Sequence, residues 1–286
     1  MAYEIPDHFH KSFTTNVELL LQQKSSNLLG AVNMASYSGE AAQVVKQFGT
    51  VAFNEKASRH ADTVWSDIEH KQRWIFPTDY TLSLPVDKED ELRMLDSPMS
   101  PYVEAMRAAW VRKCEDVVIA AALGTNYVGT NGSSTQAFDT TNMAIASSSV
   151  GLTVAKLREA RKKLLQNFND PSDTFYFVLS AEEIDDLLQT TEVTNADYNS
   201  VRALVSGEIN TFLGFQFIQT ERLTSISSER ACFAFAKSGL VLGQWNGLES
   251  RIGERADKEY TNQVFMRGTI GATRTQEKKL VRVLCA

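Results

Sequence analysis

The stretch from Ser100 to Gly124 constrains the fold most, because it has the pattern of one long amphipathic helix. Its apolar residues recur every three or four positions and line one face: Val103, Met106, Trp110, Cys114, Val117 and Ala121. Ser100 is a favourable N-cap, Pro101 suits the first helical position, and Gly124 provides a C-terminal stop. A helix over about residues 101–123 would be roughly 35 Å long. We therefore expect it to form the spine of a domain.

The composition is that of a globular protein with a sizeable core. The chain has 286 residues, of which 43% are hydrophobic and 22% charged, so we expect one or two domains. No apolar run approaches the roughly 18 residues of a membrane span. The N-terminal stretch MAYEIPDHFHKSF has neither the basic nor the apolar region of a secretory signal. We expect a cytosolic protein that does not contact a membrane.

Charge and cysteine content exclude several kinds of protein. Cys114, Cys232 and Cys285 have neither metal-site nor redox-motif spacing, and an odd number of cysteines indicates free thiols. A net charge of −6 argues against a dedicated nucleic-acid binder, which needs a basic face. A wall that encloses nucleic acid without binding it tightly can still be mildly acidic.

Residues 49–93 interleave charged and aromatic side chains and lack a core of their own. Only short strand-like pieces are found, VAFNE, DTVWSDI and RWIFPTDYTLSL, the last two separated by a polar turn at residues 69–71. The pattern predicts a long two-stranded β-ribbon. Because an isolated hairpin is only marginally stable in water, the ribbon needs a partner surface outside its own domain.

The remaining elements alternate without a regular βαβ order. A capping box at Thr15 begins a helix that we expect to break at Gly30, and a second helix covers residues 154–168. TFYFVLS is predicted to be a buried strand, and Ser180-x-x-Glu183 to cap the next helix. TFLGFQFIQTE and ACFAFAKSGLVLG are also strand-like. This order predicts an α+β fold.

Candidate chemical motifs have simpler structural explanations. His8-x-His10 lacks a third ligand nearby, so it does not predict a metal site. The Gly124–Ser134 loop resembles a phosphate cradle, but it lacks a P-loop lysine and follows a helix. The acidic runs at residues 87–91 and 182–186 fit the first turns of helices better than calcium sites. We therefore predict no catalytic residues, no cofactor and no metal.

The predicted helix at residues 154–168 has a basic outer face. Its cations are Lys156, Arg158, Arg161, Lys162 and Lys163. A solvated helix face is the favoured interpretation, and contact with nucleic acid is the alternative.

Many short motifs, in their order and spacing, resemble one known family. These motifs are Leu29-Gly-Ala-Val32, Gln47-Phe-Gly49, Arg73-Trp-Ile-Phe-Pro-Thr-Asp-Tyr80, Leu92-Arg-Met94, Asp96-Ser-Pro-Met-Ser100, Tyr102-Val103, Asp116-Val-Val-Ile-Ala-Ala-Ala-Leu-Gly-Thr125, Leu152-Thr-Val-Ala-Lys-Leu157, Arg267-Gly-Thr-Ile-Gly-Ala-Thr-Arg274 and Lys279-Leu-Val-Arg-Val-Leu-Cys285. The chain resembles the major capsid proteins of tailed bacteriophages, and the match touches most of its length.

The resemblance implies the Johnson fold of tailed-phage capsids and encapsulin shells. The expected division is an N-terminal arm and helix over residues 1–48 and an extended loop over 49–93. A peripheral domain would comprise residues 94–171 and 241–286, and an axial domain residues 172–240. The ribbon would then lie on a neighbouring subunit. The predicted inter-subunit contacts are Arg59, Trp65, Asp67, Arg73, Trp74, Phe76 and Tyr80. Changing Trp74 or Arg73 to alanine should impair assembly more than folding.

The implied function is that of a structural, non-enzymatic major capsid protein in the virion. Pentamers and hexamers would self-assemble, in the host bacterial cytoplasm, into an icosahedral shell around double-stranded DNA, which the shell contacts weakly and without specificity. A separate scaffolding protein and a portal are expected partners, and the closure is expected to be noncovalent. One alternative is an encapsulin-like shell with a protein cargo. A remote alternative is a cytosolic enzyme that binds a phosphate ligand at the Gly124 loop.

Overall fold

The computed structural model describes residues 23–49, 51–53, 65–86, 99–167, 172–189 and 211–286, together with the single residues 55, 58, 59 and 62. The helices of this part are α1 Asn27–Ala31, α2 Met99–Leu123, α3 Val154–Gln166 and α4 Ala181–Gln189. The strands are β1 Asn33–Ser36, β2 Ala42–Phe48, β3 His70–Ile75, β4 Thr78–Val86, β5 Asn126–Val128, β6 Ser134–Gln136, β7 Ala144–Ile145, β8 Phe175–Leu179, β9 Thr211–Phe212, β10 Phe215–Gln219, β11 Ser225–Ile226, β12 Glu229–Ala236, β13 Leu240–Arg255, β14 Thr261–Arg274 and β15 Leu280–Cys285.

The strands form three sheets within these residues. One sheet has the order β1-β13-β14-β4, and a second has the order β2-β3-β5-β6. The third has seven strands, in the order β7-β15-β12-β8-β10-β9, with β11 paired to β12. The mixture of long helices with largely antiparallel sheets confirms the predicted α+β class.

The long helix α2 confirms the helix predicted from the Ser100–Gly124 pattern, but it begins at Met99, so Ser100 lies within its first turn and is not its N-cap. It spans 25 residues, and its buried face includes Met106, Cys114 and Val118. The amide of Gly124 donates to the carbonyl of Ala120, and a Cβ at Gly124 would stand 2.5 Å from that oxygen. A larger residue would therefore disturb the last turn, which explains glycine at the stop.

The seven-stranded sheet carries the largest part of the core. The predicted strand TFYFVLS is β8, which contributes the fully buried Phe177, and its neighbours β10 and β12 contribute three more buried phenylalanines, Phe215, Phe233 and Phe235. The predicted capping box is also present, because the amide of Ser180 donates to Glu183 Oε2 at 2.8 Å and α4 begins at the next residue. The apolar side of α3, including Leu157 and Leu164, packs into the same core.

Strands β13 and β14 form a long hairpin beside α2. Its base is buried, with Leu242 and Ile270 in the core, whereas residues 250–260 at its tip are exposed. Burial alternates along β14, since Val264, Met266, Gly268 and Ile270 are buried between more exposed residues. Strand β4 pairs with β14 from Ile270 to Asn262, so three strands run side by side almost to the tip of the hairpin.

The predicted end of the first helix is wrong. Gly30 lies inside α1, which begins after the N-cap Ser26 and ends at Ala31, so this glycine does not end the helix. The capping box at Thr15 and the pair His8 and His10 lie outside the described residues, as does His60. The exposed His70 begins β3 and contacts Phe48 edge to face.

The prediction of a two-stranded ribbon is also wrong for the described residues. Strand β3 pairs with β2 and β5, and β4 pairs with β14, so the two strands join different sheets of their own subunit. Residues 65–68 of the strand-like piece DTVWSDI have no regular secondary structure, and residues 70 and 71 of the predicted turn lie in β3. The pairing of β3 and β4 is determined by strands that lie far away in the sequence. Sequence periodicity does not indicate such long-range partners.

The division into peripheral and axial domains stays a prediction. The seven-stranded sheet takes β8, β10 and β12 from the segment assigned to the axial domain and β15 from the segment assigned to the peripheral domain. The first of these segments includes residues 190–210, which lie outside the described part.

Candidate assembly surface

The segment between β2 and β3 exposes large apolar side chains to an unusual degree. The Trp65 side chain is 92% exposed and Phe53 is 108% exposed, and Phe48 and Val51 are also exposed. Single exposed apolar residues are ordinary, but several in one segment mark a surface that binds another molecule. We call the described residues from Phe48 to Glu69 the extended segment.

Three of the predicted contact residues lie in this extended segment and point away from their own subunit. Arg59 and Asp67 are exposed like Trp65. Asp67 accepts a hydrogen bond from the amide of Ile68 at 2.9 Å, which leaves its other carboxylate oxygen available to a partner. These three side chains have the geometry expected of intermolecular contacts.

Trp74 and Phe76 instead pack on the turn between β5 and β6. The indole of Trp74 donates to the carbonyl of Gly129 at 2.8 Å, and Phe76 meets Tyr127 edge to face. Gly132 has a φ of 70°, and a Cβ there would stand 2.8 Å from the Phe76 ring. The glycines that suggested a phosphate cradle are therefore explained by a tight turn and a close approach.

Arg73 lies inside its own subunit, where it belongs to a buried charge cluster. Only 5% of the residue is exposed, and its Nη1 lies 3.3 Å from Glu277 Oε1. Arg274 is fully buried and binds both oxygens of Glu277, at 3.0 and 3.2 Å. Burial lowers the pKa of Arg73 and of Arg274 below the ordinary range, and the Glu277 carboxylate opposes that shift. Since Arg73 is buried, an effect confined to assembly is no longer expected from its removal.

The same cluster ends the long helix. Arg274 Nη1 donates to the carbonyls of Ala121, Ala122 and Gly124, at 2.9, 2.8 and 2.7 Å. A cation at these carbonyls also complements the negative end of the helix dipole. Sequence reasoning missed Arg274 and Glu277 as a functional pair. Their only local signal is the Arg-x-x-Glu spacing, which does not indicate a helix 150 residues away in sequence.

Tyr80 lies at the edge of an apolar cleft between α2 and the β4–β14 strand pair. The ammonium group of Lys113 stands over the Tyr80 ring, 4.7 Å from its centroid. Trp110 forms a wall of the cleft and packs directly on Gly268, where a Cβ would come within 2.3 Å of the indole. Met106 and Met266 form its base. Tyr80 is thus half-buried in its own subunit and also borders an open surface.

One buried group of possible metal ligands is already satisfied by hydrogen bonds. Polar atoms of Glu183, Cys232 and Cys285 lie within 4.8 Å of one another. The Glu183 carboxylate accepts from the amide and the hydroxyl of Ser180. A hydrogen bond with Cys285 and burial raise the pKa of the Cys232 thiol, which keeps it protonated. The Glu183 carboxylate thus serves the start of α4, which accounts for its burial beside the two thiols.

Much of the basic face of α3 is used within the subunit. Lys156 is buried and donates to the carbonyls of Val150, Gly151 and Leu284, and Lys163 donates to Ala144. Arg161 donates to the carbonyl of Leu213. Arg158 and Lys162 are exposed. The helix therefore offers few cations to an external phosphate, which favours the solvated-face interpretation.

Comparisons with known proteins identify the same architecture. The family described as phage capsid protein matches residues 5–286. A search of curated proteins finds no match. None of the helices in the described ranges is both long and apolar enough to cross a membrane.

Several solved capsid structures are similar over nearly the whole chain. The capsid of cyanophage P-SCSP1u has a TM-score of 0.73 at 16% identity, covering 98% of this chain and 93% of that chain. The capsid of an empty GTA particle has a TM-score of 0.72 at 12% identity, covering 100% and 98%. The Mycobacterium phage Che8 structure has a TM-score of 0.66 at 15% identity, covering 97% of each chain. At such low identities, these TM-scores demonstrate a shared fold.

Proposed function

This chain belongs to the phage capsid protein family and is a structural major capsid protein with the Johnson fold, and from that premise we propose how its copies assemble. They form pentamers and hexamers that close an icosahedral shell around double-stranded DNA. Identical subunits close such a shell by repeating a small set of interfaces, so modest contacts add up because several neighbours hold each subunit.

The extended segment is the observation that carries this proposal. Trp65 and Phe53 are almost wholly exposed on the isolated subunit, and burying such aromatic side chains supplies much of the free energy of an interface. Arg59, Trp65 and Asp67 contact the neighbouring subunit. The other four predicted residues have a supporting role within their own subunit. They fix β3 and β4 against the subunit from which the segment projects: Arg73, Trp74, Phe76 and Tyr80.

The proposed partners follow from charge and from the family. A net charge of −6 and the internal use of Lys156, Arg161 and Lys163 support weak, non-specific contact with DNA. A separate scaffolding protein directs assembly in the host bacterial cytoplasm, and a portal occupies one vertex. The protein acts as a wall and has no catalytic role.

The direct test is to produce the protein with its scaffolding protein and to examine it by size-exclusion chromatography and negative-stain electron microscopy. We expect round shells, or sheets and tubes of repeated capsomers. Particles from infected cells should protect double-stranded DNA from nuclease, whereas a copurifying enzyme in place of DNA would indicate a cargo compartment. A small monodisperse oligomer, even with the scaffolding protein present, would contradict the proposal.

A further inference from the structure

The cleft beside Tyr80 is an open apolar site on the outside of the subunit. It has a volume of about 260 Å³ and lies between α2 and strands β4, β13 and β14. Its apolar lining consists of Tyr80, Leu82, Met106, Ala109, Trp110, Leu248 and Met266. Leu82 is 40% exposed, so the cleft presents apolar surface to solvent. Its size and lining suit one large aromatic side chain.

The rim of this cleft is positively charged. Lys113 and Arg267 both border the opening and are exposed. Arg267 forms an ion pair with Glu249 at 2.8 Å, but Lys113 has no carboxylate partner among the described residues. An aromatic residue that enters this cleft is therefore best accompanied by a carboxylate on its flank.

The extended segment has this combination of side chains. Trp65 is its most exposed large aromatic with acidic neighbours, since Asp62 and Asp67 lie on either side of it in sequence. Phe53, the other strongly exposed ring, is followed within six residues by Glu55, Lys56 and Arg59, so a cationic rim would meet two cations and one carboxylate there. The Asp67 carboxylate makes only a local hydrogen bond to the next amide among the described contacts.

We propose that Trp65 of one copy inserts into the cleft lined by Met106, Trp110 and Met266 of a neighbouring copy, with Asp67 facing Lys113. This inference rests on the proposed shell assembly and names the acceptor site for its extended segment. A second copy of the chain is the occupant because the segment and the cleft are each exposed on the subunit and carry complementary charge. The anchor buries an indole, and the ion pair at the rim fixes its register.

A cysteine pair tests the proximity. Ser66→Cys with Thr81→Cys places one thiol beside the anchor and one at the cleft, and both positions are exposed. The matched control is Ser66→Cys with Val150→Cys, since Val150 is exposed on a different part of the subunit. The native cysteines are all buried. Oxidised shells of the first variant should give a ladder of linked subunits on a non-reducing gel, and the control should not.

Substitutions test the energetics. Trp65→Ala should raise the protein concentration needed for assembly about tenfold or more, because loss of a central aromatic anchor weakens every copy of the interface. Lys113→Glu should also impair assembly, and adding Asp67→Lys should restore it. Circular dichroism of the unassembled variants checks that the subunits remain folded.

The possible outcomes separate this inference from the shell proposal. If the wild-type protein forms shells and Trp65→Ala assembles equally well, the anchor is wrong while the shell function stands. The insertion of Trp65 would also be contradicted if both cysteine pairs gave equal ladders. The same holds if Asp67→Lys did not restore the assembly of Lys113→Glu. If the wild-type protein forms no shell with its scaffolding protein, the proposed function itself fails.

Discussion

At the scale of single residues, Arg274 joins the end of the long helix to the base of the hairpin. Its guanidinium pairs with Glu277 and caps three carbonyls near the end of α2. Arg274→Ala would leave the Glu277 carboxylate and these carbonyls buried with one partner fewer. We expect the free energy of unfolding to fall by about 3–5 kcal/mol, measured by urea denaturation of the unassembled subunit. The control Arg255→Ala removes an exposed arginine paired with Asp257 and should have little effect. Equal losses would contradict the assignment.

Gly268 is required for the packing of Trp110 against the sheet. A methyl group at this position would stand 2.3 Å from the indole, so Gly268→Ala must displace that ring. We expect destabilisation of about 1–3 kcal/mol from overpacking, together with a changed tryptophan fluorescence spectrum. Gly253→Ala in β13 of the same hairpin is the matched control, because no heavy atom lies within 4 Å of its new Cβ. A similar loss in both variants would argue against a specific clash.

Cys114 should make the stability of the subunit fall as the pH rises into the alkaline range. Burial raises the pKa of its thiol from 9.0 to about 11, so the folded state holds this proton more tightly than the unfolded chain does. Its contribution to stability is present below pH 9 and is lost as the pH rises towards 11. Cys114→Ala should weaken that decline in thermal melts between pH 8 and pH 11, and an unchanged decline would contradict it. The native thiol should also resist alkylation at pH 8.

At the scale of secondary-structure elements, local signals predicted the elements that local interactions stabilise. The apolar period defined α2, the continuous apolar run defined β8, and the Ser180-x-x-Glu183 spacing defined the start of α4. Each of these patterns lies within one short segment. Sequence reasoning therefore recovered them together with the α+β class.

The start of α4 allows a matched test of its capping box. Glu183→Ala would leave the buried amide and hydroxyl of Ser180 without their acceptor, so we expect a loss of about 1–3 kcal/mol in the free energy of unfolding. Glu182→Ala changes the exposed neighbouring carboxylate and should alter stability far less. Chemical denaturation of both variants measures the difference, and equal values would contradict a structural role for the box.

Sequence reasoning failed where the partner of a residue lies far along the chain. Arg73 was predicted to be an exposed contact because its neighbours are aromatic and charged, but its carboxylate partner is Glu277. The stretch RWIFPTDYTLSL was predicted to be one strand of a ribbon, yet it is divided between β3 and β4, whose pairing partners are β2, β5 and β14. The candidate site was thus predictable in the extended segment, where exposure follows from composition, and not in the cluster beneath it.

At the scale of the whole molecule, the exposed aromatics should make the free subunit sensitive to proteolysis. Chymotrypsin should cleave the unassembled subunit after Phe53 and Trp65, which are almost fully exposed. In assembled shells the neighbouring copy should cover both sites and slow cleavage by at least about tenfold. Gel electrophoresis with mass spectrometry of the fragments measures the rates. Equal cleavage of free and assembled protein would show that the extended segment stays uncovered in the shell.

The position of β15 has a consequence for synthesis. Residues 280–285 lie between β7 and β12, and Leu280, Val281 and Val283 are fully buried there. A ribosome must therefore translate residue 285 before this sheet can close, and until then β12 exposes an unpaired edge that can aggregate. A nascent chain therefore cannot complete this sheet, and cannot offer a completed subunit to a growing particle, while residue 285 remains in the exit tunnel.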